Sequence, residues 1–290
     1  MALRRSMVTT QFMGHEKKGH VLILAWTGAA PTAVTLFAAV GTMEMPMALA
    51  DTPHRVVQRG TWPGSISLRK GWARAEARPW NDAISDATLR LMRGGSGFIE
   101  ACTSQLYDIG APAVLSSPLA PSARRPWEQA GFSDHLDLAL MRLSLDGSLP
   151  GPQHLVVRWD DYDLTEMLRI DRAAFPEFWR FDRAGLAEST QATSSASVYV
   201  IRDGESGITG YAVVGYGNAI SYLQRVAVDP RWQGSGMGRS LVRATARSAK
   251  RHGSKALLLN TQFDNTPALN LYESEGFVTL PETLAVLKAS

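Results

Sequence analysis

The stretch that most constrains this chain is Tyr222 to Gly238, read Tyr-Leu-Gln-Arg-Val-Ala-Val-Asp-Pro-Arg-Trp-Gln-Gly-Ser-Gly-Met-Gly. Its first half is apolar and rich in valine, stops at Asp229-Pro230, and predicts a buried strand. Its second half places Gly234, Gly236 and Gly238 within five residues. Ser240 to His252 then carries Leu241, Val242, Ala246 and Ala249 at helical spacing. The order is therefore strand, tight glycine loop, helix. Such a loop offers free backbone N–H groups and the positive end of a helix dipole, an arrangement suited to a phosphate. Glycine matters because a Cβ would hold the backbone away from an anion and would disfavour a positive φ. Arg231 and Arg239 flank the loop and carry donors for further phosphate oxygens. A Walker loop is excluded because no Gly-Lys-Ser/Thr closes it, and the spacing of a dinucleotide fingerprint is absent too.

Downstream, Ala256 to Asn260 reads as another buried strand. The run from Asn265 through Ala268 and Tyr272 to Gly276-Phe277 reads as a short helix closed by glycine. The combination of Gln233-x-x-Gly236-x-Gly238 after a valine strand with this second motif closely resembles the GNAT acetyltransferase superfamily. The resemblance is firm over residues 211–277 and extends over 155–287. It implies an α+β fold: a three-layer arrangement with a mixed, mostly antiparallel central sheet flanked by helices. It also implies acetyl-CoA as acyl-donor substrate and no metal. By the same resemblance, the strand at Val226, Ala227 and Val228 splays from its neighbour and holds the thioester and pantetheine. Gln233, Gly234, Ser235, Gly236, Met237, Gly238 and Arg239 take the pyrophosphate. Asn265 and Ala268 face the pantetheine, and Tyr272 is the general acid for the leaving thiolate. The competing account of Tyr272 is an aromatic packed on the sheet with its hydroxyl bonded to a carbonyl. Relatives with the same Tyr-Glu-Ser-x-Gly-Phe ending carry a glutamate base on the preceding strand. Asn260 stands there instead, so a base is left to Glu177, Tyr222 or a water chain.

The halves echo each other. Trp127-Glu-Gln-Ala-Gly131-Phe132 precedes Tyr272-Glu-Ser-Glu-Gly276-Phe277 by 145 positions, the difference between 127 and 272. Each is preceded by a glycine loop, a helix and a strand, with Gly94-Gly-Ser-Gly97 opening the first set. This predicts a tandem duplication with a degenerate first copy, because Ala120 replaces Asn265 and Trp127 replaces Tyr272, and an indole has no phenol proton to give. The expected division is a degenerate GNAT-like domain over 51–147 and a catalytic domain over 153–290, joined by the Gly- and Pro-rich run at 146–152. The text after Asp51 is polar and broken at Trp62-Pro63 and Arg78-Pro79, so loops are expected up to a helix or strand at Ala83 to Leu91. In the second copy, Thr165 to Phe175 and Arg183 to Thr190 read as helices. The aromatic loop between them, with Glu177, Phe178 and Trp179, is the expected acceptor wall; core packing is the other account of its aromatic rings.

Composition bounds the rest. With 290 residues, 45% hydrophobic and 20% charged, the chain has enough apolar content for two ordinary domains. A net charge of +3 gives no case for nucleic acid. The single Cys102 excludes an internal disulfide and fits a reducing compartment; a small buried apolar role is expected for it. The six histidines are scattered without ligand spacing. Residues 1–50 are harder to read. A basic start, the uncharged run Val21 to Met43, and Ala48-Leu49-Ala50 imitate a secretory signal or a membrane anchor. Thr27, Gly28, Pro31 and Gly41 dilute that run, and the alternative is a strand and helix of the first domain or a simple extension. The expectation is a cytoplasmic monomer or homodimer that acetylates an amine, without membrane or nucleic-acid partners. The alternative is a catalytically silent acyl-CoA-binding sensor or scaffold.

Overall fold

The computed structural model describes residues 56–160, 163–204 and 207–290. The readings made for residues 1–50 lie outside the described residues. No helix among the described residues is long and apolar enough to cross a membrane.

Twelve strands form one mixed, mostly antiparallel sheet. The first repeat supplies β1 (Val57–Arg59), β2 (Ile66–Lys70), β3 (Ala73–Pro79), β4 (Ala87–Arg93), helix α1 (Ser96–Asp108), β5 (Val114–Ser116), α2 (Pro121–Glu128) and β6 (Phe132–Ser144). The second supplies β7 (Val157–Arg158), α3 (Leu164–Ala174), α4 (Arg183–Gln191), β8 (Ser195–Arg202), β9 (Ile208–Tyr216) and β10 (Ile220–Val228). It ends with α5 (Met237–Arg251), β11 (Ala256–Gln262), α6 (Thr266–Ser274) and β12 (Val278–Ala289). Among the described residues, helices α3 and α4 have no counterpart in the first repeat, where β1 and β2 are joined directly.

The loops expected after Asp51 are instead three strands. Ala73, Ala75 and Ala77 point into the core while Arg74 and Glu76 point outward. This is true period-2 alternation, but its inward residue is alanine, which lacks the β-branched signature of a strand. Of the segment expected as helix or strand at Ala83 to Leu91, residues 87–91 lie in strand β4 and residues 83–86 in the turn before it.

The sheet order is β1-β2-β3-β4-β5-β12-β6-β11-β10-β9-β8-β7. The final strands of the two repeats have therefore changed places. β6 of the first repeat pairs antiparallel with β11 of the second, from Ala256↔Ser144 to Gln262↔Leu138. β12 of the second repeat pairs with β6 and, at Lys288↔Leu115, with β5 of the first. The core follows the exchange: Met141 and Leu143 of the first repeat pack with Leu241, Leu257 and Leu259, while Ala285 and Leu287 pack with Phe98, Ile99 and Trp127.

Helix α5 lies on the sheet because Leu241, Val242, Ala246 and Ala249 form one buried stripe. Gly236, at φ 88°, forms its N-terminal boundary. Cys102 is buried against the first-repeat core, as a small apolar residue would be.

Candidate active site

The site begins where two strands part. β10 and β11 pair in parallel only at Ile220↔Ala256, Ser221↔Leu257 and Tyr222↔Leu258. Beyond Tyr222, β10 stays paired with β9 on its other edge as far as Val228↔Gly210. Its edge toward β11 is open there, so Val226 to Val228 present backbone groups to a cleft. A register shift between Leu223 and Arg225 marks a bulge at the start of the opening; such a bulge turns side chains that strict alternation would send elsewhere.

One cleft runs from this opening to the glycine loop. It is lined by Val226, Ala227, Val228, Gln233, Gly234, Gly236, Gly238, Arg239, Asn265, Ala268, Leu271 and Tyr272. Gly234 and Gly236 both have positive φ, 78° and 88°. The N–H of Ser240 closes a helical bond onto Gly236 O at 3.0 Å, and the N–H groups of the turn before it have no such ladder partner. Gln233 folds back, its Nε2 donating to Val228 O at 3.1 Å, and so ties the loop to the strand end. The Met237 side chain is buried in the core and Ser235 Oγ donates to Trp232 O, so neither side chain lines the cleft. Arg239 lines it while paired with Glu275 at 2.8 Å. Arg231, flanking the loop, is held by Asp229 at 2.8 Å. Hydrogen bonds from Arg231 and Arg169 hold the Asp229 carboxyl below the usual carboxylate range against its burial.

Asn265 caps α6, its Oδ1 accepting from Ala268 N at 3.4 Å. Proline at the next position but one suits a helix start. The cap fixes where α6 begins, and Tyr272 follows two turns later. The Tyr272 ring lies against Phe277 with centroids 5.6 Å apart. Its hydroxyl forms no hydrogen bond among the described residues, while its ring is packed in the core as the competing account expects. Burial pushes its phenol up to about 12, with Arg225 acting the other way, so it stays protonated at neutral pH and keeps a proton to give.

A second cleft, enclosing about 160 Å³, meets the first at Phe175, Val226, Asn265, Ala268 and Tyr272. Its remaining lining includes Trp80, Leu138, Phe178, Trp179, Arg225 and Asn260. Phe178 and Trp179 stand here as expected. Glu177 does not line either cleft: its side chain is 63% exposed and lies 3.6 Å from Arg180. Tyr222 is buried among Leu138, Leu140 and Leu258, outside both clefts, with its phenol pushed up by burial. Neither is placed to take a proton from an amine in the cleft.

Several residues of the site carry no sequence signal. Arg225 grips Asp171 with two hydrogen bonds of 2.7 Å. Its guanidinium lies between Phe175 and Phe181, 3.5 and 3.9 Å from the ring centroids. Tyr211 donates to the same carboxylate at 2.5 Å, and Phe181 N does so at 2.6 Å. Arg78 of the first repeat bonds Glu188 of α4 through two nitrogens, at 3.1 and 3.0 Å. Single charged residues in a text of this composition look like surface until packing buries them.

Residues 164–277 match the model of the acetyltransferase (GNAT) family. A mycothiol acetyltransferase of a Nocardioides species is 29% identical over 188 residues, which cover 54% of this chain and 62% of that protein. A mycothiol acetyltransferase of Renibacterium salmoninarum is 28% identical, over 88% of this chain and 77% of its own length. This chain thus spans less than two thirds of the Nocardioides protein it resembles. Among solved structures, a tandem GNAT protein from the clavulanic acid biosynthesis pathway superposes with a TM-score of 0.54 at 14% identity. That likeness covers 82% of this chain and 84% of the other and concerns the fold.

Proposed function

From the premise that residues 164–277 belong to the GNAT acetyltransferase family, we propose that this chain transfers the acetyl group of acetyl-CoA to a primary amine. The observation that carries the reading is the meeting of the two clefts at Tyr272. A donor in the glycine-loop cleft and an acceptor in the aromatic cleft would meet along the residues the two clefts share, Tyr272 among them. Holding both in line supplies much of the rate of such a reaction.

The chain's own residues have distinct parts in this proposal. The glycine loop and the N-terminal end of α5 bind the pyrophosphate. The open edge of β10 at Val226 to Val228 pairs with the pantetheine and offers N–H groups to the carbonyl oxygen as charge builds on it. Asn265 fixes the start of α6 and through it the position of Tyr272. Tyr272, protonated, gives its proton to the sulfur as the C–S bond breaks. Among the described residues, the carboxylate lining the acceptor cleft is Asp182, which caps α4 at 2.6 Å and lies 3.6 Å from Arg78. It is therefore engaged, and the amine enters as the neutral form or loses its proton to water.

The degenerate-copy reading of the first repeat has support in its site. Ala120 caps α2 without a side-chain bond, and Trp127, 1% exposed, fills the place that corresponds to Tyr272. We assign catalysis to the second repeat and a shaping role to the first. Expression in a reducing cytoplasm fits the free Cys102.

The test is a CoA-release assay with acetyl-CoA across a panel of primary amines. The unacetylated precursor of mycothiol belongs in that panel because of the names its relatives carry. Release that depends on an amine supports the reading. Tight acetyl-CoA binding with no amine-dependent release would favour the silent sensor or scaffold.

A further inference from the structure

The loop that walls the acceptor cleft, residues 175–182, belongs to neither a helix nor a strand. Its four successive carbonyls from Glu177 to Arg180 therefore need partners from elsewhere. Trp179 O receives Arg225 NH2 at 2.9 Å. The other three are taken by the first repeat. Trp80 Nε1 donates to Phe178 O at 2.6 Å. Asn81 Nδ2 donates to Glu177 O at 2.9 Å and Arg180 O at 3.1 Å, with Phe178 O at 3.4 Å. The Trp80 ring also stacks on Phe178, centroids 4.7 Å apart at 27°.

Asn81 is 3% exposed and fully used. Its Oδ1 accepts from Ala83 N and Ile84 N at 2.9 and 2.8 Å. N–H groups at one end and carbonyls at the other fix which way the amide points. The turn that carries it spans residues 80–86, between β3 and β4, whereas the corresponding turn between β9 and β10 spans only 217–219. The longer turn is what reaches across to the loop.

We propose that Trp80 and Asn81 are positioning residues for the acceptor cleft, so that the repeat without its own chemistry determines which amines the other repeat accepts. This rests on the reading of the aromatic cleft as the acceptor site. The loop's own sequence gives it aromatic faces; the first repeat decides where those faces stand. Small displacements of such a wall change substrate positioning strongly.

The experiment uses the full chain with N81D and W80F. N81D keeps the acceptor for Ala83 and Ile84, and so keeps the local turn, but sets a carboxylate against three carbonyls. W80F keeps a ring on Phe178 and removes one donor. Hydrogen exchange is measured on residues 176–182 and on the glycine loop, 233–238. Exchange in 176–182 is expected to rise roughly tenfold in N81D and less in W80F, as local opening becomes easier. Exchange in 233–238 and the calorimetric affinity for acetyl-CoA are expected to stay within about twofold, because neither residue touches that cleft. With L-phenylalaninamide as probe amine, its KM is expected to rise roughly tenfold in N81D while the acetyl-CoA KM stays, the pattern of lost acceptor binding. Unchanged exchange in 176–182, or an equal rise at both loops, would overturn the proposal. If the wild-type chain fails to bind acetyl-CoA, the transferase reading falls, and the exchange data still decide whether Trp80 and Asn81 hold the loop.

Discussion

Arg225 and Asp171 form an ion pair that joins the bulged strand to helix α3 beneath the aromatic loop. Both are buried, with side chains 10% and 0% exposed, and they meet in two bonds of 2.7 Å. Burial alone would lower the arginine pKa, yet the carboxylate beside it raises it overall. Arg225 keeps its charge because the carboxylate beside it supplies what desolvation took away. The same guanidinium bonds Trp179 O, so the pair also fixes one edge of the aromatic loop.

Asp171→Ala leaves Arg225 buried without its counter-charge and frees Tyr211 and Phe181 N. Breaking such a pair by removing one partner costs on the order of 3–5 kcal/mol. Denaturant unfolding of the variant is expected to show a loss of that size. A loss near zero would mean that water reaches the guanidinium and that the clamp has no structural weight.

Gly236→Val tests the phosphate loop. The position has φ 88°, and an added Cβ would meet His154 Nε2 at 3.6 Å and Gln153 Oε1 at 3.7 Å. Those are ordinary contacts, so the cost lies in the left-handed backbone, roughly 1–2 kcal/mol, and in the bulk placed where an anion would approach. Acetyl-CoA affinity is expected to fall at least tenfold in a folded protein. Calorimetry showing unchanged binding would remove the loop from the donor site.

The strand exchange bears on how the repeats can be separated. From sequence, residues 153–290 are expected to stand alone and bind acetyl-CoA. In the fold, β11 pairs with β6 along seven residues, and β12 is flanked by β5 and β6. Cut from the first repeat, β11 would present an open apolar edge. Residues 153–290 alone are therefore expected to aggregate or dimerise by strand exchange, and co-expression with the first repeat is expected to rescue them. Size-exclusion chromatography showing a stable monomer that binds acetyl-CoA would refute this.

The second repeat was legible because its motifs are written in backbone chemistry. Positive-φ glycines, a valine strand and a capped short helix each leave a local pattern, and the structure brings Val226, Gly236, Asn265, Ala268 and Tyr272 to one place. The first repeat was less legible. Its strand β3 alternates alanine with charge, and alanine carries little strand signal. The exchange of β6 and β12 leaves no mark at all, since each strand keeps the same alternation whichever neighbour it has. Arg225, Asp171, Trp80 and Asn81 were missed because their roles arise from pairings 54 and 96 or more residues apart in sequence.

Cys102 gives a prediction for alkaline pH. Burial raises its thiol from 9.0 to about 12, with Lys70 opposing. A folded pKa above the unfolded one means that the contribution is present below about pH 9 and is lost as pH rises toward 12. Cys102→Ala is expected to flatten the fall of unfolding free energy over that window. A thiol reagent at pH 8 should modify the wild-type protein only at the rate of unfolding; rapid modification of the folded protein would contradict the burial.

Tyr272→Phe separates chemistry from packing. The ring and its contact with Phe277 persist, and only the hydroxyl is lost. That hydroxyl has no hydrogen-bond partner among the described residues, so the melting temperature is expected to change little. A phenol aimed at a departing sulfur stabilises charge that exists only as the C–S bond breaks, so its effect falls on turnover and not on binding. General acid catalysis is worth about 10²–10⁴-fold, and kcat is expected to drop within that range. The KM for acetyl-CoA should hold, because the glycine loop and Asn265 are untouched. The pH profile adds an independent check. With the phenol pushed up to about 12, the wild-type enzyme is expected to show no loss of the acid below about pH 10. An alkaline limb in wild type near pH 10 that vanishes in Tyr272→Phe would place the phenol in water. Normal kcat in the variant would mean that the thiolate leaves without an acid and that Tyr272 serves the fold alone.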